Sequence, residues 1–497
     1  MPETSASDPR RWTALVFIAL AQLMVVLDGT IVNIALPSAQ HDLGISDGNR
    51  QWVITAYTLA FGGLLLLGGR IADLAGRKRA FVIGLIGFAG ASALGGAAAN
   101  AGMLLGARAL QGVFGALLAP AALSLLAVTF TEAKERAKAF GIFGAIAGGG
   151  GALGLILGGV LTEYLNWRWA LYVNVPIAAV AAIGAITVVR EPAHGRNRNR
   201  LDIPGVVLAT LGLVSLVYGF TRAETDGWAS AATIGLFVAA VVLLAGFALV
   251  EGRVKAPLLP LRVVTDRNRA GIYLSLGLAI IGMFGLFLFL TYYLQIIKGY
   301  TPVVTGLAFL PMIAGMITGS TQIGARLMNR VPPRLLMGPG FLAAALGMLI
   351  LTQLKVDSSY AGLVLPAQIL LGLGMGTAFM PAMSLATHGV QPRDAGVASA
   401  MVNTSQQVGG SIGTALLNTV AASATTSWLV AHGGNPKLVN EAAVHGYATA
   451  IWWAVGILAA AATLALTMIN TGRQGGSPVV SGSADAADEV AVPVIAH

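Results

Sequence analysis

The chain has 497 residues, of which 56% are hydrophobic and 10% charged, with 30 Lys and Arg against 21 Asp and Glu, a net charge of +9. Mean hydropathy is +0.77, and soluble domains carry about 25% charged residues, so a water-soluble fold is excluded. Nucleic-acid binding is excluded too, because the basic residues sit in short clusters between apolar runs, as in the loops of a polytopic membrane protein. Cysteine is absent, which removes disulfides, thiolate metal sites and a cysteine nucleophile.

A membrane helix needs about 20 mostly apolar residues. Fourteen such spans are expected, at 12–37, 51–70, 80–99, 103–127, 137–162, 169–189, 203–221, 231–250, 271–296, 303–325, 335–354, 361–385, 396–424 and 446–470. The first run is too long for the core of a cleaved signal peptide, about 7–15 residues, and is read as a retained span. The tail from Thr471 is polar, rich in Ser, Gly, Ala and Asp, and expected to be disordered. Alternating loops place 22 Lys and Arg on one side and 6 on the other, so both termini are expected in the cytoplasm. The excess of Arg over Lys, with abundant Gly and Ala, fits a GC-rich bacterial genome and hence a bacterial cytoplasmic membrane.

The spans divide into a short N-terminal segment (1–11), six spans (12–190), linkers with two inserted spans (191–269), six spans (270–470) and the tail (471–497). Two six-span halves are a common transporter plan with substrate near the midplane between them. GRIADLAGRKR (Gly69–Arg79) after span 2 is faintly echoed by GARLMNRVPPR (Gly324–Arg334) after span 10.

Span 1 ends in LDGTIVNIALP (Leu27–Pro37), and Asp28 is the only acid well inside any expected span. Arg108 in span 4 is the one interior guanidinium, with Arg70 at the end of span 2. A charge at the bilayer centre costs about 2.5–3.5 kcal/mol on insertion scales, so such residues face a cavity or each other. At 1.5 Å per residue, Asp28 lies about 12 Å and Arg108 about 8 Å below the same surface, so the two are expected to meet. Two readings stay open: a structural ion pair that docks span 1 on span 4, or a titratable carboxylate whose proton affinity depends on the arginine.

Asn33 lies about 140° around the helix from Asp28 and is either a packing hydrogen bonder or a ligand contact. Pro37 cannot donate to the Asn33 carbonyl and is expected to loosen the helix there. Arg108, Gln111, Gly112 and Gly115 share one helix face. Gly149-x-Gly151-x-x-Gly154 in span 5 matches a dinucleotide fingerprint only formally, because no strand precedes it; helix packing is the reading. Gly409-Gly410-Ser411-Ile412-Gly413 likewise lies in an apolar helix and not in a hydrolase elbow. No Gly-Lys dipeptide occurs, so there is no nucleotide-binding P-loop. Most tryptophans fall near span ends, as an interfacial belt requires. Tyr57, Phe284, Phe287, Tyr292, Tyr293 and Phe379 are core residues or cavity lining.

In order along the chain, these motifs resemble those of the fourteen-span drug:proton antiporter branch of the major facilitator superfamily. LDGTIVNIALP looks like its span 1 signature. GGRIADLAGRKR is similar to the loop motif between spans 2 and 3, with Gly69, Asp73, Gly76, Arg77 and Lys78 in place. RALQG (Arg108–Gly112) looks like the span 4 motif. GLILGGVL (Gly154–Leu161) and the later WRWALYVNVP (Trp167–Pro176) resemble the antiporter motif of span 5 and the segment after it. Leu155 stands where that motif usually has proline, while Gly154, Gly158 and Gly159 remain.

The resemblance implies an all-α polytopic membrane protein of major facilitator fold: two six-helix bundles plus two inserted helices. It implies proton-coupled efflux of amphiphilic small molecules by alternating access. Asp28 and Arg108 would couple the proton, and Gly69, Asp73, Gly76, Arg77 and Lys78 would form a gating loop. Gly154, Gly158 and Gly159 would pack helices. Asn33, Tyr57, Gln111, Tyr292 and Tyr293 are the candidate substrate contacts. No acid lies inside spans 9–14, which argues against a preference for multivalent cations. The expected partners are an amphiphilic substrate, protons and the lipid bilayer, with no cofactor, metal, nucleic acid or obligatory protein. The alternatives are a dedicated exporter of one endogenous metabolite and a facilitator or proton symporter for uptake. A membrane enzyme is disfavoured by the lack of an interior His, Cys or multi-acid cluster.

Overall fold

A computed structural model describes residues 10–130, 132–189, 202–254, 257–328, 330–387 and 395–470. Most of the expected N-terminal segment, the linker 190–201 and the tail from residue 471 lie outside the described residues. Among the described residues the chain is all-helical, and twelve helices are long and apolar enough to cross a membrane. In the first half these are α1 (Arg11–Leu43), α2 (Trp52–Ala75), α3 (Arg77–Gly96), α4 (Ala101–Thr129) and α6 (Trp169–Val188). Between α4 and α6 runs α5 (Ala133–Tyr164), 32 residues long and outside that twelve. Then come α7 (Ile203–Asp226), α8 (Ala231–Glu251), α9 (Arg267–Ile297), α10 (Pro302–Leu327), α11 (Arg334–Leu351) and α12 (Tyr360–Ala386). They are followed by α13 (Ala395–Ala431), again outside the twelve, and α14 (Val439–Met468). Each helix falls on one of the expected spans, and α5 and α13 fall on spans 5 and 13.

The helix ends follow local chemistry. Asn100 caps α4 by accepting from the Met103 amide, 2.9 Å away, and Ser230 and Asp202 cap α8 and α7 in the same way. Gly76 alone separates α2 from α3 at φ 103°, a conformation that disfavours any side chain. Pro37 sits inside an unbroken α1, which runs on to Leu43.

Within the first half α1 packs on α5 and α6, α2 on α4, and α3 on α4 and α6. The second half repeats this set: α9 on α13 and α14, α10 on α12, and α11 on α12 and α14. Glycines at equivalent places permit the closest approaches. A Cβ on Gly154 would lie 3.1 Å from the Leu27 carbonyl oxygen of α1; one on Gly409 would lie 2.5 Å from the Gly277 oxygen of α9. Likewise a Cβ on Gly112 would meet the Tyr57 oxygen at 2.4 Å and one on Gly372 the Met312 oxygen at 2.0 Å. The pairing of backbones therefore aligns Asp28 with Leu278 and Arg108 with Gln368. The fold repeats; its charge does not.

The inserted pair is peripheral: only 22% of the apolar window of α7 and 11% of that of α8 are buried, against 67% for α9. α7 leans on α2 and α13, where Thr419 Oγ1 donates to the Phe220 oxygen at 2.9 Å. The halves meet along α2/α13 and α5/α10. One end of the bundle carries the Arg77–Arg79 turn and is the charge-rich face; the other carries residues 44–51 and is the charge-poor face.

Candidate functional site: a buried charge cluster and a closed seam

Asp28 is wholly buried at the middle of α1, and Arg108, two turns into α4, is 1% exposed. Arg108 Nη1 donates to Asp28 Oδ2 at 2.6 Å and to Gln111 Oε1 at 2.8 Å, while its Nε donates to the Val53 oxygen at 2.9 Å. Asp28 Oδ1 accepts from Gln111 Nε2 at 2.9 Å and from Asn174 Nδ2 at 2.8 Å. Gln111 Nε2 also donates to Ser92 Oγ, at 2.7 Å. Donors from α4 and α6 thus converge on the carboxylate of α1, and Ser92 of α3 accepts from two of them, Gln111 and Asn174. The Tyr57 ring lies over the guanidinium with its centroid 4.4 Å from the Arg108 Cζ, a cation–π contact in a water-poor site. An apolar crevice lined by Leu36, Val53, Leu104, Trp167 and Leu171 flanks Arg108 toward the charge-poor face.

This geometry defines what the cluster can do. A buried ion pair persists only where its remaining lone pairs and protons are satisfied. Here both carboxylate oxygens of Asp28 have charge-assisted or amide donors. Arg108 also donates to the neutral acceptors Gln111 Oε1 and Val53 O, which anchor its guanidinium beside Asp28.

The other expected site residues are spread over the fold. Asn33 is 5% exposed and donates to the Gly29 oxygen of its own helix at 2.9 Å, leaving Oδ1 buried and unpartnered. Tyr57 and Gln111 belong to the charge cluster; the Tyr57 hydroxyl has no hydrogen-bond partner. Tyr292 sits at the seam between the halves, where its hydroxyl donates to Gln40 Oε1. Tyr293 faces its own half, donating to the Lys355 oxygen at 2.8 Å. In the expected gating loop, a Cβ on Gly69 would lie 3.6 Å from the Pro120 Cβ, Arg77 opens α3, and Lys78 Nζ donates to the Ile186 oxygen at 2.8 Å. The Asp73 side chain lies outside the described ones. Gly154 and Gly158 lie against α1, whereas a Cβ on Gly159 would come 2.7 Å from the Pro302 oxygen of the opposite half. α5 is continuous through Leu155, whose oxygen abuts Gly306.

Ser92 and Asn174 complete the cluster without being flagged by the sequence. A serine and an asparagine in apolar spans are weak signals, although Asn174 lies within the WRWALYVNVP segment.

At the charge-poor face the halves are closed against each other. Arg50, 7% exposed, places its guanidinium 4.0 Å from the centroid of the Tyr292 ring, and its Nε donates to Asn418 Oδ1 at 3.4 Å. Asn418 Nδ2 donates to Gln51 Oε1 at 3.2 Å, Gln295 Nε2 to the Ile34 oxygen at 3.0 Å, and Thr58 and Ser411 share a hydrogen bond of 2.7 Å. On the α5/α10 side Glu163 Oε2 accepts from the Val303 amide at 3.0 Å.

Comparison with known proteins places this architecture. Residues 18–414 match the model of the Major Facilitator Superfamily. The chain is 57% identical over 466 residues to the puromycin resistance protein pur8 of Streptomyces alboniger, covering 93% of this chain and 92% of that one. It is 40% identical over 416 residues to the cephamycin export protein CmcT of Amycolatopsis lactamdurans, covering 83% and 86%. Among solved structures it resembles an inward-facing, occupied bacterial homolog of the human lysosomal transporter Spinster. That TM-score is 0.67 at 17% identity, covering 93% of this chain and 97% of the other, and shows the fold alone.

Proposed function

The chain belongs to the Major Facilitator Superfamily, and from that premise we propose that it exports amphiphilic antibiotics in exchange for protons. The relatives are resistance and export transporters, and puromycin is the first substrate to test, given the 57% identity to pur8. No catalysis is involved. The charge-rich face is the cytoplasmic one, with both termini there, in a bacterial cytoplasmic membrane. α5 and α13 complete a fourteen-span chain, the architecture of the drug:proton antiporter branch. The state described above is then closed to the outside, and export requires the Arg50–Tyr292 seam to part.

The observation that carries proton coupling is the cluster around Asp28: a carboxylate with three donors, placed where hydration is excluded and tying α1 to α4 and α6. Intramembrane acids of this kind mark ion pathways. In the outward-open state Asp28 takes a proton, releases Arg108 to Gln111 and Val53, and loosens α1 from α4; in the inward-open state Arg108 returns and displaces the proton. A potential of 100 mV supplies about 2.3 kcal/mol per elementary charge, enough to drive a useful gradient with one proton.

The test is antibiotic-induced proton release from inverted vesicles, with a puromycin sensitivity assay in a pump-deficient host. Wild type is expected to release protons on substrate addition and to protect the host; Asp28→Asn is expected to do neither. Coupled release by Asp28→Asn would refute the proton-carrier role, and antibiotic uptake by intact cells that acidifies their interior would refute the direction.

A further inference from the structure

The inserted helices end in a second carboxyl site that the coupling scheme does not use. Asp202 caps α7, its Oδ1 accepting from the Gly205 amide at 3.0 Å, and Glu251 ends α8, its Oε2 accepting from the Leu259 amide at 3.0 Å. The residues are 5% and 3% exposed. Each has one oxygen left over, Asp202 Oδ2 and Glu251 Oε1, and both are buried without a hydrogen-bond partner. Those two oxygens converge. The Cβ position of Gly205 lies 2.5 Å from Asp202 Oδ2 and 2.9 Å from Glu251 Oε1, and the two carboxyl groups stand within hydrogen-bonding reach.

Two ionised carboxylates so placed would repel each other and leave both lone pairs unsatisfied in a desolvated site. One proton removes both penalties. Bonded to either oxygen, it donates a hydrogen bond to the other and leaves the pair with a single negative charge. We propose that Asp202 and Glu251 form a second proton-binding site, holding one proton between Oδ2 and Oε1.

Among the described residues the charged surroundings are few. From α2, the Arg70 guanidinium faces the pair and donates to the Pro257 oxygen. Arg253, two residues beyond Glu251, is exposed to solvent. α13, the other helix against α7, carries no titratable side chain between residues 395 and 431. The segment Pro257–Leu259, which leads toward the second half, is thus held from two sides, by Glu251 and by Arg70. Loss of the shared proton leaves two adjacent negative charges, which compete with the Pro257 oxygen for Arg70 and leave the segment held by Glu251 alone. The site lies at the charge-rich face and stands independently of the role assigned to Asp28.

Infrared difference spectroscopy of the full chain in nanodiscs, titrated with acid and base, reads the proton directly through the carbonyl stretch of a protonated carboxyl. Wild type is expected to show one such deuterium-sensitive band at neutral pH. The band is expected to vanish in Glu251→Gln and in Asp202→Asn, and to persist in Asp28→Asn. Asparagine also caps helices, so Asp202→Asn keeps the start of α7, and two variants guard against misfolding of either. A band left unchanged by both variants, or abolished by Asp28→Asn instead, overturns the assignment.

Discussion

Replacing Asp28 with asparagine removes the carboxylate that Arg108 Nη1 meets at 2.6 Å and turns an amide donor toward a guanidinium donor. Both side chains are buried, at 0% and 1% exposure, so water cannot compensate. Breaking a buried pair by removing one partner costs about 3–5 kcal/mol, because the other charge stays behind unpaired. Arg108→Gln should cost a similar amount, since it strands Asp28 and gives up the Val53 bond and the Tyr57 face. The double variant carries neither charge and is expected to be more stable than the sum of the singles allows, with a coupling of about 2–3 kcal/mol. Gln368 at the equivalent place in the second half already shows the fold accepting glutamine there. Unfolding of the four purified proteins in one detergent measures the cycle, and inverted vesicles measure coupling. The double variant should regain stability without regaining substrate-driven proton release. Additivity of the singles within about 0.5 kcal/mol would refute the reasoning. Wild-type stability of Asp28→Asn would also refute it, by showing that Asp28 is uncharged in this state.

Three further outcomes rest on particular contacts. A Cβ on Gly154 would fall 1.9 Å from Thr30 Oγ1, whereas one on Gly29 meets nothing within 4 Å; Gly154→Ala should cost about 1–3 kcal/mol by overpacking while Gly29→Ala gains up to about 1 kcal/mol, and thermal unfolding that ranks the two the other way would contradict the α1–α5 packing. Arg50→Ala removes the cation gripped by Tyr292 and Asn418, so the charge-poor face should open more often; spin labels at Ser46→Cys and Lys437→Cys, placed in a chain with no native cysteine, should report longer distances, and an unchanged distribution would mean that Arg50 does not hold the seam. Gln368 is fully buried with both amide atoms unpartnered, so Gln368→Met should stabilise the protein by about 1–3 kcal/mol; a loss of stability would show that the amide is satisfied after all.

Much of this molecule is written locally. An apolar run of span length forms a helix because backbone hydrogen bonds must close within the segment in a bilayer, so every helix could be placed from hydropathy alone. Asp28 and Arg108 were legible for a related reason: charge is so disfavoured in apolar spans that two such residues at similar depth stand out and require each other. The long reach of arginine tolerated an error in helix length, since α1 runs to Leu43, past the expected end at Pro37.

What the tertiary structure decided is which polar neutral residues join them. Ser92, Gln111 and Asn174 lie 19 to 146 residues from their hydrogen-bond partners in sequence where they cross between helices. Neutral polar residues are inexpensive enough in a span to appear anywhere, so only Gln111, on the helix face of Arg108, was legible in the chain, and Ser92 and Asn174 were not. The same holds for Tyr57 and Tyr292, two tyrosines alike in sequence context: packing laid one over Arg108 inside a bundle and the other over Arg50 between bundles. Hydropathy fixes where a residue sits along the membrane normal. Rotation about each helix axis, set by glycine contacts such as Gly154 on α1 and Gly112 on α2, determines what it touches.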